Sequence, residues 1–143
     1  MMEHREKIII LWVVFLLGLL FHTQLGLMPL FHGLSVAESQ AHSIYDIAWV
    51  IWLMLGFFTL PMLAIIATAF TDAKPYRVSH FGFTIVFSVL NLMHLIADLS
   101  VQPVFWYQIA LITFLLLLGL LLNIVSFQWM QLSLKANELF KVF

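Results

Sequence analysis

Polar residues between positions 80 and 102 recur with the period of a helix face. His80, Thr84, Ser88, Asn91, His94, Asp98 and Gln102 fall at intervals of 4, 4, 3, 3, 4 and 4, which places them on one side of an α-helix. Phe, Ile, Val, Leu and Met fill the intervening positions. In water such a stripe would face solvent. In a chain this apolar it must face protein, because lipid cannot satisfy hydrogen-bonding groups.

The same pattern predicts four segments long enough to cross a bilayer, which takes about 20 residues: roughly 8–30, 44–70, 81–101 and 104–130. Their connections are short, the last being a tight turn at Gln102-Pro103. Short connections make consecutive helices antiparallel neighbours. The expected fold is therefore an all-α integral membrane protein: a single domain spanning 1–143, an up-down-up-down bundle of four transmembrane helices. Residues 131–143 are expected to add a short interfacial helix, with Leu132, Leu139, Phe140 and Phe143 toward lipid and Lys135, Glu138 and Lys141 toward water. The first segment has the charged start of a signal peptide, and Ser35-Val36-Ala37 resembles a cleavage site, but its apolar run is longer than a typical signal core.

Composition supports the membrane assignment: 64% of the 143 residues are hydrophobic and 9% are charged, where a soluble domain is nearer a quarter charged. A net charge of −1 argues against a nucleic-acid partner. The absence of Cys excludes disulfides, cysteine-ligated clusters and thiol catalysis. Arg5 and Lys7, Lys74 and Arg77, and Lys135 and Lys141 all fall at one end of the predicted bundle. The positive-inside rule then puts both termini in the cytoplasm, in a plasma or inner membrane. Trp12 and Trp129, and Trp106 and Tyr107, are expected in the two aromatic belts.

Polar chemistry collects toward the outer end. His22 and His94 lie at nearly equal depth in their segments; His32, Glu38 and His42 occupy the outer loop, with Asp46 just beyond. His42-x3-Asp46 and His94-x3-Asp98 share the H-x3-D pattern, which puts each imidazole and carboxylate on one helix face, able to chelate an ion or bond each other. Gly18 and Gly26 flank His22 at i−4 and i+4, a small-residue pattern that serves helix packing or the approach of a flat group.

His80 and His94 are 14 positions apart, about 21 Å along an axis. This spacing resembles that of the histidine pairs in di-haem membrane cytochromes b. The resemblance covers one helix and implies haem axial ligation. His22 is then the partner of His94, whereas His80 has only His4, outside the bilayer, to turn to.

Three functional expectations follow. The first is a small membrane redox protein or redox-complex subunit. It holds a b-type haem through His22 and His94, or a transition metal (Cu, Fe or Zn) through His22, His42, Asp46, His94 and Asp98, with Asn91 and His32 in support. The second is an accessory subunit that stabilises other membrane subunits or a homo-oligomer, with the Leu115–Leu122 run as a lipid- or partner-facing surface. The third is a proton or solute conduit along the helix 3 stripe.

Overall fold

The computed structural model describes residues 2–36 and 40–141, with side chains through 132. It contains α1 (His4–Leu27), α2 (Ala48–Phe70), α3 (Lys74–Ser100) and α4 (Trp106–Lys141). Two 3-10 turns, Met28–His32 and Ile44–Ile47, lie between α1 and α2. No strand occurs among the described residues. All four helices are long and apolar enough to cross a membrane.

The helix boundaries follow local chemistry. α1 starts four residues before the apolar run because Glu3 and Glu6 form a reciprocal capping box, which satisfies backbone donors at the helix start. It ends where Pro29 opens a 3-10 turn and Gly33 takes a left-handed φ of 74°, a conformation that needs no Cβ. Ser43 and Asp46 cap the 3-10 turn that leads into α2. α3 begins at Lys74, well ahead of the predicted position 81. Pro75 sits in its first turn, where the missing N–H costs nothing, and the polar residues 74–80 are helical despite their low hydropathy. α4 runs unbroken to Lys141, so residues 131–141 extend α4 and form no separate helix. The faces expected of Lys135, Glu138, Leu139, Phe140, Lys141 and Phe143 lie outside the described residues, as does Glu38.

The core is built by α1, α3 and α4. Ile8, Trp12, Phe15, Leu19 and His22 form the buried stripe of α1. They meet Phe87 of α3 and Ile112, Leu115, Leu122, Val125 and Trp129 of α4. The Leu115–Leu122 run was expected to face outward; instead Leu115 and Leu122 are buried, and Leu117, Leu120 and Leu121 carry the exposed side. Glycines bring the helices close: a Cβ on Gly18 would collide with the Leu115 side chain, and one on Gly119 would stand 3.1 Å from Ser88. Gly26 likewise faces the Gln108 amide on α4. The small-residue spacing on α1 thus serves contact with α4.

Between apolar helices in lipid, hydrogen bonds and close packing replace the hydrophobic effect as the main cohesion. Arg5 donates to the carbonyls of Thr68 and Ala69, tying the start of α1 to the end of α2. Arg77 pairs with Asp72 at 2.8 Å, donates to the Trp129 carbonyl at 3.0 Å and lies over the Trp129 ring. Asn123 donates to Ser88 at 2.9 Å across the α3–α4 contact. α2 contributes least, burying only Pro61 and Thr68.

Candidate metal centre

The phase of α1 delivers His22. Its buried positions advance by three and four residues from Ile8, and the fifth is a histidine, 7% exposed. Opposite it, α3 presents His94 and Asp98 one turn apart. His22 Nε2 lies 3.1 Å from Asp98 Oδ2, and His94 Nε2 lies 3.5 Å from Asp98 Oδ1. The two imidazoles meet edge to face with centroids 5.1 Å apart. One ligand atom from each residue fits within a 4.8 Å cluster.

His22 Nε2 and Asp98 Oδ2 are buried and form an ion-pair contact, and neither has another partner among the described residues. Two imidazoles converging on one carboxylate present the nitrogen and oxygen donors that suit a borderline transition metal. A cavity of about 310 Å³ lies on the Asp98 side of this set. Asp98 forms part of its wall with Gly26, Pro29, Val101, Phe105 and Gln108.

The other residues anticipated from sequence are placed elsewhere. His42 and Asp46 are exposed. The Asp46 carboxylate accepts from the backbone amides of His42 and Ser43 at 2.9 and 3.0 Å. The first H-x3-D pattern is therefore used as a helix cap through the His42 backbone, whereas the second brings an imidazole to a carboxylate. His32 closes an exposed 3-10 turn. Asn91, 1% exposed, lies one turn from His94, and its Nδ2 has no hydrogen-bond partner among the described residues.

His80 is engaged differently. Trp12 Nε1 donates to His80 Nε2 at 3.0 Å, and Trp12, Tyr76 and Trp129 all contact its ring. Trp12 and Trp129, expected at the membrane interface, are 0% and 3% exposed and belong to the core; Trp106 and Tyr107 are exposed. The Trp12–His80 bond escaped the sequence reading. Its signal was available: Trp12 shares the three-and-four phase that leads to His22.

No family model, curated protein or solved structure matches this chain.

Proposed function

We propose that the chain is a small membrane redox protein, or a subunit of a redox complex, that binds one transition metal through His22, His94 and Asp98. The observation that carries this reading is the convergence of three ligand atoms from two helices, with His22 Nε2 and Asp98 Oδ2 buried and paired only with each other among the described residues. When bound, copper or iron would supply one-electron chemistry in a site sheltered by α1 and α3. The protein's own part is to hold two neutral imidazoles and a carboxylate in place, and to admit small molecules through the cavity beside Asp98.

The haem alternative is less well supported. Bis-histidyl ligation needs the two imidazoles on opposite faces of a flat macrocycle. Here the rings are in edge contact and share one carboxylate. His80 has given its Nε2 to Trp12. The conduit reading meets an obstruction, since Trp12, Phe83 and Phe87 stack across the interior with centroids 4.6–5.5 Å apart.

In this reading the four helices form an antiparallel up-down-up-down bundle. The contacts of Arg5 with the end of α2, and of Arg77 with Trp129, agree with that order. The basic end lies in the cytoplasm and the metal lies toward the outer face. A second role as a stabilising subunit or homo-oligomer is favoured by α2, whose Trp49, Trp52, Leu53 and Leu55 are all more than half exposed.

The test is elemental analysis with an absorption spectrum of the purified protein. One Cu or Fe per chain, lost in His22→Ala and Asp98→Ala but kept in His42→Ala, is expected. A Soret band that disappears in His22→Ala would replace the metal with haem. A colourless, metal-free protein whose stability is indifferent to both substitutions would leave the stabilising role.

A further inference from the structure

His22, His94 and Asp98 supply two imidazole nitrogens and one carboxylate oxygen, and no further His, Asp or Glu joins them among the described residues. Three protein ligands fill half of an octahedral shell. Two histidines and one carboxylate, with the other positions open, are the donor set of non-haem ferrous sites that take oxygen as a ligand. A blue-copper electron-transfer site would instead need a cysteine thiolate, and the chain has no Cys.

The turns on either side of the cluster decide which way its open positions face. On the side of the basic end, the next turn of α1 brings Leu19 and the next turn of α3 brings Asn91, 5% and 1% exposed. Leu115 of α4, fully buried, packs on Gly18 beside them. This side is closed. On the other side, the next turn of α1 brings Gly26, four residues and about 6 Å beyond His22. The corresponding turn of α3 is Asp98 itself. Gly26 and Asp98 both line the cavity of about 310 Å³, so it begins at the outer edge of the cluster. Its wall continues to Leu34, Val101 and Phe105, which are exposed, and it therefore opens at the outer end of the bundle.

The walls limit what enters. Asp98 is the sole charged residue among those lining the cavity, so an anionic ligand would meet a carboxylate and no basic side chain. The volume is at the lower end of pockets that hold organic molecules, about 300 Å³. One polar donor is in place: the Gln108 amide lines the cavity and comes so near α1 that a Cβ on Gly26 would stand 3.1 Å from its Nε2. The cavity thus favours a small, uncharged ligand that can accept a hydrogen bond.

We propose that the metal is ferrous iron with coordination positions open toward this cavity, and that these positions take an uncharged diatomic ligand of the dioxygen class. Gln108 is the hydrogen-bond donor within the cavity. The inference rests on the metal assignment made above and adds to it the identity of the metal, the open face and the ligand.

Nitric oxide is the probe. The iron-loaded protein is reduced with dithionite and exposed to nitric oxide without air. A half-integer-spin ferrous nitrosyl signal in electron paramagnetic resonance, one per iron, is expected. Val101→Trp and Ile109→Trp fill the cavity from two walls without replacing a ligand. Each should keep its iron and weaken nitric oxide binding at least tenfold, whereas His42→Ala should change neither. Iron bound at one per chain with no nitrosyl signal would overturn the open face and leave the metal assignment standing. A signal of wild-type affinity in both Trp variants would overturn the cavity as the ligand's place. Copper or zinc bound in preference to iron would overturn the ferrous assignment alone, and a chain that binds no metal would overturn both readings. Should one Trp variant fail to fold, the other decides.

Discussion

His80 and His94 sit on one face of α3, yet their surroundings make opposite demands on the imidazole. His80 is enclosed by Trp12, Tyr76 and Trp129 and has one nitrogen assigned by a neutral donor. His94 faces a second imidazole and a carboxylate that the two imidazoles share. The first arrangement specifies a tautomer and stiffens the basic end. The second gathers three potential ligand atoms within 4.8 Å of one another. Residue type and spacing do not separate these roles; the identity of what lies across from each histidine does.

The comparison can be broken at either end. The largest expected effect is at the aromatic end. Trp12→Ala empties a fully buried site and strips His80 of its donor, and should cost about 3–5 kcal/mol, read as a lowered thermal midpoint in detergent. Metal content should not change in the fraction that stays folded. Were Trp12→Ala to lose the metal while unfolding no earlier, the two ends would not be separable.

Next in size is the metal itself. His22→Ala or Asp98→Asn should weaken metal binding at least 100-fold, equivalent to about 2.7 kcal/mol, measured by competition with a coloured chelator. Trp12→Phe should leave that affinity untouched. It should instead cost about 1–3 kcal/mol of stability, because His80 Nε2 becomes a buried acceptor without a donor. Equal effects of both substitutions on both measurements would erase the distinction.

A smaller effect is expected between the two ends. Gly18→Ala brings a Cβ against the side chain of the buried Leu115. Forcing that side chain to repack should cost about 1–3 kcal/mol and shift the α1–α4 contact. If the metal affinity falls as well, the position of His22 depends on how closely α1 approaches α4. The smallest effect sharpens the two H-x3-D patterns. His42→Ala keeps the backbone amide that Asp46 uses and should alter neither stability nor metal content measurably, whereas His94→Ala should reduce metal content.

Much of this was readable from periodicity. The stripe on α3 turns inward as anticipated for His80, Thr84, Ser88 and Asn91, which are all buried. It loosens toward Asp98 and is exposed at Gln102. Hydropathy found the four long helices but misjudged their ends, since capping by Glu3 and the proline at position 75 act on backbone groups that hydropathy does not weigh. The leucine run of α4 divides between core and surface, because a leucine looks alike whether it packs on α1 and α3 or faces lipid. α4, the leucine-rich helix, packs at the centre, and α2 is the exposed one.

The candidate site divides the same way. Sequence alone determined that His94 and Asp98 share a face and that His22 stands at a similar depth, because both statements follow from a fixed rise and turn per residue. It could not tell His94-x3-Asp98 from His42-x3-Asp46, since the two patterns are identical until one knows what lies opposite. Only the tertiary structure decided that Asp98 reaches across to His22 on α1 while Asp46 folds back on the amides of His42 and Ser43, and that Trp12 occupies His80. Helical phase is a property of neighbours along the chain. Which donor meets which acceptor depends on helices brought together from distant parts of it, and that is settled by packing.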